Sequence, residues 1–184
     1  MIKAFVFVEV RTGTEKDLID GLFEIPEVLE AHMIVGDFDL LIVVGAKEED
    51  LIRFPAGKIV EVLTDRIRKM ENVLDTKTII PVFSEIKKSH LTDLDTLARG
   101  FVCLKVKLGM EKHVMHELLK IENIVETHLV TGTYDVIAVL EVKKTLLPPH
   151  YPELIADIVT EKIGKIKEVQ DTETIIPDFS KIRS

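Results

Sequence analysis

Apolar positions change their period in a fixed order along the first part of the chain. From Ala4 to Val10 they alternate, with Val6, Val8 and Val10 on one side and Phe5 and Phe7 on the other. A period of two predicts a strand. Thr12-Gly13-Thr14 is turn chemistry, and Thr14 is placed to cap a helix that carries Glu15 in its first turn. Leu18, Leu22 and Ile25 then recur at helical spacing until Pro26 ends the pattern. Val28 to Val35 reads as a second strand, Gly36-Asp37-Phe38-Asp39 as a turn, and Leu40 to Val44 as a third strand, apolar on both faces and therefore central. Ile59, Leu63, Ile67 and Met70 predict a second helix, and Val73 to Ile80 a fourth strand that stops at Pro81.

The order β-α-β-β-α-β is that of a ferredoxin-like α+β unit, with its first and third strands in the middle of the sheet. The same pattern occurs twice. Shifting the sequence by 96 positions aligns Phe5–Lys88 with Phe101–Ser184 and gives 29 identities in 84 positions. Ordinary composition gives roughly 5 by chance. We therefore expect a first repeat over residues 1–86, a linker over 87–99 and a second repeat over 100–184. Leu91, Leu94 and Leu97 stand at helical spacing in the linker and allow a short helix there. Helices cover one face of such a sheet, and the apolar residues of the other face need a second cover. The expected architecture is two ferredoxin-like units of the dimeric α+β barrel type, with sheets packed face to face, within the chain or between chains.

Composition narrows the function classes. The chain has 184 residues, 46% hydrophobic and 30% charged, a globular composition with no run long enough to cross a bilayer. The formal net charge of −8 and the lack of a Lys/Arg cluster beyond Lys87-Lys88 and Arg66–Lys69 argue against direct nucleic-acid binding. Neither a signal peptide nor a membrane-surface helix is expected. A single cysteine, Cys103, fits a cytoplasmic protein and rules out an intramolecular disulfide or a cysteine-based zinc cluster.

Two motifs carry a family resemblance. One is the strand end Val130-Thr131-Gly132-Thr133-Tyr134-Asp135, followed at once by an apolar strand. The other is the last strand, Asp171-Thr172-Glu173-Thr174-Ile175-Ile176. Both recur in the first repeat, as Gly36–Asp39 and Asp75–Ile80. With the element order, they make each unit similar to the effector-binding domain of the Lrp/AsnC (feast/famine) transcription regulators. Those regulators normally carry an N-terminal helix-turn-helix, whereas this chain starts on the first strand, so it resembles a stand-alone tandem form of the effector domain.

The resemblance implies an amino-acid effector held at Gly132, Thr133, Tyr134 and Asp135, and at Gly36, Asp37, Phe38 and Asp39. The residues themselves allow this, because a glycine turn lets a ligand approach the backbone and aspartate can pair with an α-ammonium group. They equally suit a plain hairpin turn. Thr172 and Thr174, with Thr76 and Thr78, share one strand face, and the resemblance makes their hydroxyls effector contacts; threonine is also simply a good strand former. Phe38 lacks the hydroxyl of Tyr134, and Asp37 replaces Thr133, so the two turns are not equivalent and the second is the better binder. His32 and His128 occupy matching places on the second strands, where a metal across a pseudo-twofold or ordinary hydrogen bonding are the two options. Cys103 reads as an inert core thiol.

No nucleophile elbow, P-loop or dinucleotide fingerprint is present, and no cofactor is called for. The leading expectation is a non-catalytic regulatory protein that binds an amino acid or similar effector. It would form a homo-oligomer or an intramolecular pseudo-dimer and act on transcription only through a partner such as a full-length Lrp/AsnC-type relative. The alternatives are a small enzyme of the dimeric α+β barrel type, related to the siroheme decarboxylases, and a structural assembly module without ligand.

Overall fold

The computed structural model describes residues 1–47, 57–89, 93, 96–145 and 149–183. Elements run β1 (Ile2–Val10), α1 (Glu15–Leu22), β2 (Val28–Met33), β3 (Leu40–Ala46), α2 (Gly57–Asp65), β4 (Val73–Ile79), β5 (Phe83–Ile86), β6 (Leu97–Val106), α3 (Glu111–Leu119), β7 (Ile124–Leu129), β8 (Val136–Lys143), α4 (Tyr151–Glu161), β9 (Val169–Ile175) and β10 (Phe179–Ile182). They form two antiparallel five-stranded sheets, ordered β10-β2-β3-β1-β4 and β5-β7-β8-β6-β9. The first and third strands of each repeat are central, as the apolar run of β3 requires; all seven of its residues are buried.

Alternation along β1 and β6 sorts the two faces. Val6, Val8 and Val10 join Leu18, Leu22, Ile59 and Leu63 in the core beneath α1 and α2. Val102, Leu104 and Val106 do the same with Val114, Leu118, Ile155 and Ile163 beneath α3 and α4. On the opposite face, Phe5, Leu41 and Val43 of the first sheet and Phe101, Ile137 and Val139 of the second are also buried. Cys103 is buried and in no disulfide.

Three local expectations are corrected. The Thr14 hydroxyl does not cap α1; it donates to the Arg11 carbonyl at 2.6 Å and tightens the preceding turn. The second helix does not run on to Met70: α2 ends at Asp65, and a separate 3-10 turn over Ile67–Lys69 leads into β4. In the expected linker, Leu91 and Leu94 lie outside the described residues, and Leu97 already opens β6.

The sequence pattern did not predict the fifth strand of either sheet. The compact units are Met1–Ile80 with Pro177–Ser184 (unit 1) and Pro81–Ile176 (unit 2), so they cross the repeat boundary expected at residue 86. Each repeat ends in a short strand, Phe-Ser-x-Ile, that belongs to the other unit. β5 pairs with β7, Ser84 opposite His128, and β10 pairs with β2, Ser180 opposite His32. This is a reciprocal exchange within one chain, of the kind that links separate subunits in swapped dimers.

Candidate functional site

The turn between β7 and β8 is built around Asp135. Its backbone N–H donates to the Leu104 carbonyl and its carbonyl accepts from Val130, both at 2.9 Å. Its carboxylate Oδ2 accepts from the Val106 amide, also at 2.9 Å. Asp39 repeats the side-chain bond on Val10 at 2.8 Å. Both aspartates thus have an oxygen committed to fixing the turn against the end of β6 or β1. Gly132 has φ +121° and Gly109 φ +81°, values that L side chains rarely adopt, while a Cβ built at either meets nothing within 4 Å. Glycine is needed there for backbone shape, and the space beside it is open.

That space is part of a cavity of about 530 Å³ in unit 2. Val130, Gly132 and Asp135 line it from the turn, Gly109 and Lys112 from the start of α3, and Val82 from the exchanged segment. Glu111 also borders it, with Oε1 accepting from the Gly109 amide at 3.0 Å. Lys112 is the cation among the lining residues, and its Nζ lies 5.7 Å from the Phe83 ring centroid. Of the lining residues Val82 is 67% exposed, and its sequence neighbour Phe83 and Leu108, next to Gly109, are 44% and 92% exposed.

The other expected site residues fall elsewhere. The Tyr134 hydroxyl donates to the Glu173 carboxylate. Glu173 pairs with Cys103, on the sheet face turned away from the helices. Thr172 and Thr174 pair with Leu104 and Val102, on the helix side. The structure therefore does not bring the threonines and Tyr134 together, and neither lines the cavity. Thr133 and Asp37 are exposed. In unit 1, Phe38 lies against Phe7 with ring centroids 5.7 Å apart. Thr76 and Thr78 face the helix side opposite Val8 and Val6, where Thr76 accepts a 2.8 Å bond from Arg68.

Sequence reasoning missed a second constellation. His32 and His128 are fully buried. His32 Nδ1 lies 2.8 Å from Ser180 Oγ and its Nε2 3.1 Å from Glu30 Oε2. His128 Nδ1 lies 2.8 Å from Ser84 Oγ and its Nε2 3.0 Å from Glu126 Oε2. The carboxylates stand two residues away on the same strand face, and the serines arrive on the exchanged strands. A signal was present: Glu30, His32 and Ser180 repeat as identities in Glu126, His128 and Ser84. Among the described residues, no cluster of three or more potential ligands could hold a metal ion.

The family profile of the Lrp/AsnC ligand binding domain matches residues 3–92. This part of the chain is similar to that family's ligand binding domain. The Lrp/AsnC segment covers the whole first repeat and the strand it hands to unit 2, and by the internal identities its pattern extends to the second repeat. Among solved structures, the chain resembles FFRP-DM1 at 29% identity over 45% of this chain and 100% of that one, with a TM-score of 0.39. It shares its fold over 98% of its length with the siroheme decarboxylase NirDL (73% of that chain, 12% identity, TM-score 0.63). A putative monooxygenase from Lactobacillus acidophilus NCFM matches over 100% of this chain and 99% of its own at 14% identity and TM-score 0.51. No curated protein matches the sequence significantly. No helix among the described residues is long and apolar enough to cross a membrane.

Proposed function

We propose that the protein is a non-catalytic effector-binding module of the Lrp/AsnC type, with its working site at the Gly132–Asp135 turn of unit 2. The observation that carries this reading is the cavity joining that turn to the start of α3 and to the exchanged segment. Its chemistry suits the carboxylate of an amino acid or similar metabolite. Lys112 supplies a positive charge, the start of α3 adds the positive end of a helix dipole, and the bordering acids each have an oxygen occupied by a backbone amide. The exposed apolar side chains of Val82 and of its neighbour Phe83, with Leu108 beside Gly109 in sequence, favour a partner surface there, either a second copy or a full-length Lrp/AsnC-type relative. Control of transcription then runs through that partner, whose assembly the effector biases by binding one state better.

A thermal-shift screen against amino acids and related carboxylates tests this reading. A binder at 100 times its Kd adds ~2.7 kcal/mol of stability. Lys112→Ala should remove the shift while leaving the unliganded melting temperature nearly unchanged. A flat screen points instead to a structural assembly module without ligand. Asp135→Ala is a poor probe, because it also releases the Val106 amide.

A second reading, a small enzyme of the dimeric α+β barrel type, draws on the Ser84–His128–Glu126 chain, which links hydroxyl, imidazole and carboxylate in the order that activates a nucleophile. Equal hydrolysis of 4-nitrophenyl acetate by the wild type and Ser84→Ala would overturn it.

A further inference from the structure

We propose that unit 2 contains a second ligand site, between α4 and the adjoining ends of β7 and β8, that takes a small uncharged molecule with an apolar body. The site is a cavity of about 530 Å³, within the range of ligand pockets, and its accessible wall is mostly apolar, with Val125, Val142, Leu154 and Ile158 as the apolar side chains. It is separate from the turn cavity and shares no lining residue with it.

The case rests on what the duplication changed. At the matching place in unit 1, Glu27 lies 3.6 Å from Lys58 and 3.9 Å from Arg66, so three long charged side chains converge there. The shift of 96 positions turns Glu27 into Asn123 and Lys58 into Leu154, leaving Lys162 in place of Arg66. Asn123 turns to the backbone and donates to the Glu141 carbonyl at 3.1 Å. Leu154 becomes wall. The charged trio of unit 1 is thereby replaced, and in unit 2 Asn123, Leu154 and Lys162 line a cavity whose accessible wall is mostly apolar.

The charges around the cavity decide what it takes. Glu141 is buried, but Arg99 donates to its Oε1 at 2.7 and 3.0 Å and Ser89 donates to its other oxygen. Glu161 is paired with Lys165. Glu122 and Asp157 also line it, with Lys143 and Lys162, two acids and two bases. This balance gives no preference for a charged head, whereas a wall of branched side chains favours an aromatic ring or short branched chain.

Indole is a suitable probe, because the chain has no tryptophan whose emission would overlap that of indole. Titration into the full chain should give a saturable emission shift. Restoring the unit 1 charges with Asn123→Glu and Leu154→Lys should weaken binding by about tenfold or more. Ile158→Phe fills the same cavity without adding charge and should act alike if the double variant does not fold. Lys112→Ala, in the turn cavity, should leave the indole titration unchanged, which separates this site from the proposed effector site. A wild type that never saturates, or equal affinity in the wild type and the folded cavity variants, overturns the proposal.

Discussion

Gly45 and Glu141 occupy the same place in two units of the same design, yet one is the smallest residue and the other a buried charge. In unit 1 a Cβ at Gly45 would sit 2.5 Å from Leu29 Cδ1, so apolar packing fills the place. In unit 2 the place holds a carboxylate that is 3% exposed and tied to Arg99 and Ser89. By contrast, the Ser–His–Glu chains and the aspartate-fixed turns are alike in both units to within about a tenth of an ångström. The copies agree where the chain hands over a strand and fixes its turns. They differ beside β3 and β8, where Glu27 of one unit lies near Lys58 and Arg66 and the other unit has Asn123, Leu154 and Lys162 along a cavity.

The buried ion pair of unit 2 should give the largest effect. Arg99→Ala removes the guanidinium and leaves Glu141 without its main compensation, a change that typically costs about 3–5 kcal/mol. Replacing both partners by leucine should recover much of that loss, since no buried carboxylate then remains to be compensated. Urea denaturation of the three proteins measures it. A loss below about 1 kcal/mol in Arg99→Ala, the range of an exposed pair, would show that the pair does not distinguish the units.

The histidines should behave in the opposite way, as a test of likeness. His32→Ala and His128→Ala each delete a fully buried ring and leave a serine and a carboxylate without their imidazole. Unsatisfied buried polar groups and the cavity left behind together cost about 3 kcal/mol. The two variants should match within about 0.5 kcal/mol in denaturant unfolding, because the geometry is the same. A clear gap would mean that the exchange is anchored in one unit only.

These residues also mark how far the sequence could be read. The ferredoxin-like order, the central strands and the helix-facing valines were legible, because periods of two and 3.6 report which face is buried. The Gly-x-aromatic-Asp turns were legible as turns, but not that Asp39 and Asp135 reach across to Val10 and Val106, which is a long-range bond. The threonine pairs share a face, as alternation demands, but only the strand pairing shows that this face lies under the helices, away from Tyr134. The exchange was not legible at all. Phe83-Ser84-Glu85-Ile86 is too short to announce itself as a strand, and periodicity does not say which edge a strand will join. The cavities lie where side chains of several elements fail to fill space, a property that no single stretch of sequence carries.

The smallest expected effect concerns the cation at the end of each exchanged segment. Lys87 Nζ donates to the carbonyls of Leu119 and Ile121 at 3.2 and 2.7 Å, at the C-terminal end of α3. Arg183 holds the matching carbonyls of Phe23 and Ile25 at 2.8 and 3.2 Å. Both complement a helix C-terminus, but only the lysine titrates in an accessible range. Burial pushes the Lys87 pKa below its ordinary value. The folded state then binds fewer protons at this group than the unfolded chain between the lowered pKa and 10.5. Stability contributed by the group therefore rises with pH across that window. In Lys87→Arg the charge stays fixed, so the wild type should gain on this variant as pH approaches 10.5, the ordinary lysine value. The group is only partly buried, which limits the gain to about a few tenths of a kcal/mol. Arg183→Lys makes the reciprocal test in unit 1. If the wild type loses stability relative to Lys87→Arg over the same range, the hydrogen bonds to α3 outweigh desolvation, and the two units are clamped more differently than their geometry suggests.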